Sequence, residues 1–164
     1  MKRKWPWALA AALAVLAVYA GTVLATPQVG VTTSTVATGA VDPVNIKVKG
    51  DKGTHWRIHL KTKDESDAYV VDNKFSPGGT TGWHTHPGPS LIFVVSGSIT
   101  NYEGDDPSCT KHVYSAGQTF VDEGGGDVHM LRNETQATAE TVAVQIIPHG
   151  AQRKTDIPTA PQPC

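Results

Sequence analysis

Gly78-Gly-Thr-Thr-Gly-Trp-His84-Thr-His86-Pro-Gly-Pro-Ser90-Leu-Ile-Phe-Val-Val-Ser-Gly97 is the stretch on which the reading of this chain turns. It joins a glycine-rich lead-in and a His-x-His pair to an apolar, β-branched run. In an extended strand alternate side chains share a face, so His84 and His86 project to one side, a few ångströms apart. Two imidazoles so placed can grip one divalent ion from one side. For such a pair taken alone, solvent exposure at a strand end is the commoner outcome. Leu91–Val95 reads as a strand, and Ser96-Gly97 then predicts a hairpin turn into Ile99–Tyr102.

Further along lies Gly117-Gln-Thr-Phe-Val-Asp-Glu-Gly124-Gly-Gly126-Asp-Val-His129-Met-Leu-Arg-Asn133. Here His129 follows a glycine-rich bend and opens another short strand. Together the two segments resemble the cupin superfamily. Its first motif runs Gly, five residues, His-x-His, three or four residues, Glu, six residues, Gly. Gly78, His84, His86 and Gly97 fall in that register. Its second motif ends Gly-x-x-His-x-x-x-Asn, matched by Gly126, His129 and Asn133. The resemblance covers Gly78 to Asn133, with flanking strands from about Val44 to Ile147 suiting the same fold. It implies a jelly-roll β-barrel (a double-stranded β-helix).

Two positions depart from the family pattern. Ser90 stands where the family has its glutamate, and Gly124 where it has a proline. Glycine also permits a bend, but a serine hydroxyl is a poor metal ligand and carries no compensating charge. The resemblance thus implies a metal site of His84, His86 and His129 without a carboxylate. Three neutral imidazoles leave the ion's charge uncompensated, which favours an anionic or chelating ligand at the open positions. Three-histidine cupins similar to the thiol and diketone dioxygenases work in this way with non-haem iron. The opposing reading is a decayed site on a fold kept as a binding module, since fold alone does not fix function. Imidazole serves Fe, Mn, Zn, Ni and Cu, so the sequence leaves the divalent metal unnamed.

Outward from the motifs, the chain reads as all-β. Ile46 and Val48 alternate with polar residues over Asn45–Lys49, as do Trp56, Ile58 and Leu60 over Trp56–Lys61, and both predict half-buried strands. Ala68–Val71, Lys111–Tyr114, Thr119–Val121, Val128–Leu131 and Thr141–Ile147 complete the set. Sixteen Gly and eleven Pro among 164 residues argue against a helical bundle and for short strands joined by turns. The formal net charge of −1 offers no basic excess for nucleic acid.

The first 25 residues read as a targeting segment. Lys2-Arg3-Lys4 precedes an uncharged stretch from Trp5 to Ala25 that ends in a small-x-small site, as in a secretory signal. Its 21 residues are also long enough for an uncleaved anchor helix. Either reading places the remainder outside the cytoplasm, secreted or held at the membrane only by this segment. Cleavage would remove three of the 14 basic residues and leave 11 against 15 acidic ones, a balance of −4. Residues 26–42 form a spacer or first edge strand, 43–149 the barrel domain, and 150–164 a proline-rich tail. The two cysteines, Cys109 and Cys164, are expected to pair in an oxidising compartment. A disulfide-linked dimer is the alternative, and a homodimer stays open. Trp83, His112, Tyr114, Gln145 and His149 could face a cavity or serve elsewhere; Asp105-Asp106 is most simply a solvated loop. The function expected is an exported cupin acting on a small anionic substrate in an oxygenase- or isomerase-like reaction. The alternative is a non-catalytic cupin binding a small ligand at the cell surface.

Overall fold

The computed structural model describes residues 26–162 and 164. The signal or anchor helix expected over residues 1–25 lies outside them. Among the described residues there are twelve strands and no helix, hence none long and apolar enough to cross a membrane. In chain order they are β1 (Val29–Val41), β2 (Asn45–Lys49), β3 (Arg57–Lys61), β4 (Ser66–Thr80), β5 (His84–Thr85), β6 (Ser90–Ser96), β7 (Ser98–Glu103), β8 (His112–Ser115), β9 (Thr119–Asp122), β10 (His129–Arg132), β11 (Ala139–Pro148) and β12 (Thr155–Asp156).

Ten of these strands form one sheet, bent into a nearly closed barrel. β4 is its spine, pairing antiparallel with β1 along one edge and with β11 along the other. β11 passes on to β6, and β6 to β9. β10 pairs with β4, β5 and β7, and β7 with β8. Period-two alternation sorts the side chains. On β6, Ile92 and Val94 are buried while Leu91, Phe93 and Val95 face outward. The inward set meets Phe75, Ile99, Phe120, Leu131 and Ala139 in one hydrophobic cluster.

Two expectations are corrected here. β6 and β7 do not form a hairpin, because β11 and β9 already occupy both edges of β6. The chain instead turns a corner at Gly97 (φ +69°), where a Cβ would sit 2.7 Å from the Thr138 carbonyl oxygen. β2 and β3 are not half-buried either. They pair only with each other, as a separate two-stranded ribbon whose residues are all exposed. Their apolar residues meet across the strands, Ile46 opposite Leu60 and Val48 opposite Ile58.

The last residues are less irregular than their prolines suggest. β12 pairs with β5, placing Asp156 opposite His84. From the other end of the described chain, the Thr26 amide donates to the Ile157 carbonyl, and Thr26 Oγ1 accepts from the Trp83 amide at 2.9 Å. Both ends thereby clamp the strand that carries the His-x-His pair. Cys109 and Cys164 form a disulfide, with Cα atoms 5.4 Å apart.

Candidate metal centre

His84 opens β5 and His129 opens β10, and the two residues are directly paired in register. His86 follows β5 by one residue. All three side chains are buried and turn their Nε2 atoms toward one another. Nε2 of His84 lies 3.1 Å from that of His86 and 3.0 Å from that of His129.

What these close nitrogens can be follows from their other ring atoms. His84 Nδ1 is 2.9 Å from the Gly82 carbonyl, and His86 Nδ1 is 2.6 Å from the Arg153 carbonyl. A carbonyl oxygen only accepts, so each Nδ1 carries the proton and donates it. In the neutral rings, Nε2 is then a bare lone pair aimed at another nitrogen. Burial pushes the pKa of His84 down to about 2 and that of His129 to about 4, and it lowers His86 too. Near neutral pH, protons therefore do not supply the positive charge these lone pairs face.

The donor set fits a divalent ion. The three histidines each offer a ligand atom, all within 4.8 Å of one another. An ion about 2.1 Å from each donor would hold neighbouring donors roughly 3.0–3.4 Å apart. Backbone carbonyls gripping the distal ring nitrogens are the usual support of metal-binding histidines.

Ser90 is buried, and its hydroxyl accepts a hydrogen bond from Gln145 Nε2 at 3.0 Å. Gln145 is buried as well, and its Oε1 has no partner among the described residues. Both line the small cavity beside the histidines, about 40 Å³ in volume, together with Thr81, Ile92, Arg153 and Lys154.

A carboxylate lies beside the cluster, outside the group formed by the three histidines. Asp122, the last residue of β9, is paired in register with Ser90. Its side chain is 3% exposed, and Oδ2 lies 3.9 Å from Nε2 of both His86 and His129. A signal for it lay in the sequence. Asp122 stands two residues after Phe120, so in a strand it shares that residue's inward face.

Arg153 and Lys154 were also missed, and no local pattern marks them. They reach the site because β12 pairs with β5. Of the other candidates, Trp83 is a buried residue beside the clamp. His112 is exposed, and Tyr114 stacks on Phe120 with ring centres 4.2 Å apart. His149 is exposed and meets Asp67 at 2.9 Å, which raises the pKa of the imidazole. Asp106 is a turn residue, its two carboxylate oxygens accepting from the Ser108 and Thr110 amides. Asn133 is structural: its Nδ2 donates to the Ser76 and Ala137 carbonyls, and its Oδ1 accepts from the Thr135 amide.

A barrel with three inward histidines defines a class, and comparison with known proteins agrees. Residues 73–145 match the Cupin domain family. That stretch of the chain is a cupin domain. Among solved structures it is similar to a cupin-2 domain protein from Rhodospirillum rubrum, at 11% identity over 80% of this chain and 66% of that one, TM-score 0.49. It is also similar to a conserved double-stranded β-helix protein from Klebsiella pneumoniae, at 22% identity over 70% and 84%, TM-score 0.46. A third is an oxalate oxidase in complex with the substrate analogue glycolate, at 25% identity over 48% of this chain, TM-score 0.43. The chain spans only 41% of that oxidase. No curated protein matches this chain.

Proposed function

We propose that this protein is an exported cupin that holds one divalent metal ion through His84, His86 and His129 and acts on a small anionic molecule. The carrying observation is the pair of Nδ1 hydrogen bonds to the Gly82 and Arg153 carbonyls, which turns bare Nε2 lone pairs onto one point. When bound, the ion supplies Lewis-acid or redox chemistry at its open positions, in an oxygenase- or isomerase-like reaction.

The protein's own groups set what can approach. The cavity of about 40 Å³ admits a ligand of a few heavy atoms, far below the several hundred Å³ of sites for drug-sized molecules. Its polar lining includes Arg153, whose guanidinium has no hydrogen-bond or ion-pair partner among the described residues. A planar fork of donors at the cavity wall suits a carboxylate. Lys154 beside it donates to the Thr81 carbonyl at 3.2 Å and is ion-paired with Asp156, which leaves Arg153 as the unpaired cation of the lining among the described residues. Export is supported by the basic and apolar character of residues 1–25 and by the disulfide, since such bonds persist outside the reducing cytoplasm.

Metal analysis of protein purified from its native host tests the reading. One equivalent of iron, manganese, copper or nickel supports the metal-dependent activity. Fully folded protein without metal, and unable to take up any, would leave the non-catalytic binder in its place.

A further inference from the structure

We propose that Asp122 is the fourth protein donor of the metal site, standing in from the neighbouring strand for the carboxylate that Ser90 lacks. The proposal rests on the three-histidine reading above and adds a ligand that the motifs do not contain.

Three observations carry it. First, Asp122 is a buried carboxylate with one oxygen satisfied and one not. Oδ1 accepts from the Gly124 amide at 3.1 Å, which fixes the group, while Oδ2 has no hydrogen-bond partner among the described residues. A buried, unpartnered carboxylate oxygen is costly, and such groups are retained where a cation meets them. Secondly, that oxygen is aimed at the cluster. It is equidistant from Nε2 of His86 and of His129, at 3.9 Å, about half an ångström beyond ordinary donor–donor spacing around one ion. At that length neither contact is a hydrogen bond, so the nitrogens do not satisfy it.

Thirdly, both departures from the family pattern fit a relocated carboxylate. Ser90 lies directly across from Asp122 in the β6–β9 ladder, and its short side chain turns to Gln145. A glutamate at position 90 would bring a second negative charge to the space that the Asp122 oxygen faces. At position 124 a proline would have no N–H, and the contact that pins Asp122 would be lost. Charge balance follows too. Three neutral imidazoles and one carboxylate reduce the net charge of a divalent site from two to one.

The test uses the full chain freed of metal and titrated with Co²⁺ alone, reading affinity by competition with a chelator and ligand set by the visible d–d absorption of the ion. Asp122→Asn keeps the shape and the acceptor for the Gly124 amide but removes the charge. We expect at least a tenfold weaker Co²⁺ affinity and an altered absorption envelope. Adding Ser90→Glu to Asp122→Asn returns a carboxylate from the facing strand and should recover most of the loss. Co²⁺ affinity within twofold of wild type, with an unchanged spectrum, in Asp122→Asn would overturn the proposal. If Asp122→Asn does not fold, Asp122→Glu decides: a changed Co²⁺ affinity and absorption envelope support the proposal, and both unchanged from wild type overturn it. His84→Ala, His86→Ala and His129→Ala separate this idea from the one beneath it. If those variants lose Co²⁺ while Asp122→Asn keeps it, only the fourth donor is wrong. If none of the four loses Co²⁺, the three-histidine site itself is wrong.

Discussion

Gly124 shows how tightly single positions are constrained near the site. Its φ is +66°, and a Cβ there would meet the Gly88 carbonyl oxygen at 2.2 Å. Left-handed backbone and a clash with main chain act together, so Gly124→Ala should cost at least about 2 kcal/mol. The urea midpoint of the metal-free protein measures it, and an unchanged midpoint would mean that the Gly88 and Gly124 loops do not touch. The histidines make a second prediction at this scale. In the folded metal-free protein, His84 and His129 bind protons only near pH 2 and pH 4, whereas unfolded histidine does so near 6.5. Below about pH 6.5 the unfolded chain therefore holds more protons than the folded one. Stability is complete above that pH and declines as pH falls towards 4, by up to about 1.4 kcal/mol per pH unit for each histidine involved. Denaturation midpoints at pH 7.5 and 5.0 should differ clearly in the metal-free protein. Equal midpoints would rule out burial of neutral imidazoles.

At the scale of elements, the ribbon of β2 and β3 stands apart from the barrel. Ile58 is 50% exposed and Trp56 58% exposed, so Ile58→Ser or Trp56→Ser should move stability by no more than about 0.5 kcal/mol. Ile92→Ser, on the inward face of β6, should cost several times as much by introducing a buried hydroxyl and a void. A thermal melt of the three variants checks the contrast; equal losses would place the ribbon against the core. The same elements show what was legible in the sequence. A β-branched apolar run located β6, and alternation located β2 and β3 to within a few residues, because period two is a local property of the chain. It could not tell that the apolar face of Ile46, Val48, Ile58 and Leu60 meets no other layer, since burial depends on what packs opposite. The β6–β7 hairpin failed for a related reason. A turn signal such as Ser96-Gly97 reports a change of direction, not which edge is free to receive the next strand. In the site, the resemblance of the two motif segments to cupins is what joined His84, His86 and His129. Asp122 carried a local signal in its spacing from Phe120, whereas Arg153 and Lys154 enter through the pairing of β12 with β5, which no short motif encodes.

At the scale of the molecule, the Cys109–Cys164 bond closes a span of 55 residues. Chain entropy puts the full effect of such a closure on the order of 4 kcal/mol, with less realised where the tail is already held by β12. Cys164→Ser should lower the melting temperature and increase proteolysis after Asp156. An unchanged melt under reducing and non-reducing conditions would show the bond to be idle. The pairing of β12 with β5 also orders events in time. A ribosome delivers residues 84–86 long before residues 153–156, yet it is the Arg153 carbonyl that orients His86. A nascent chain stopped anywhere before that point presents a His86 whose ring is not yet aimed. The full set of aimed ring nitrogens is thus a property of the chain only once residue 153 has been made and β12 has paired with β5.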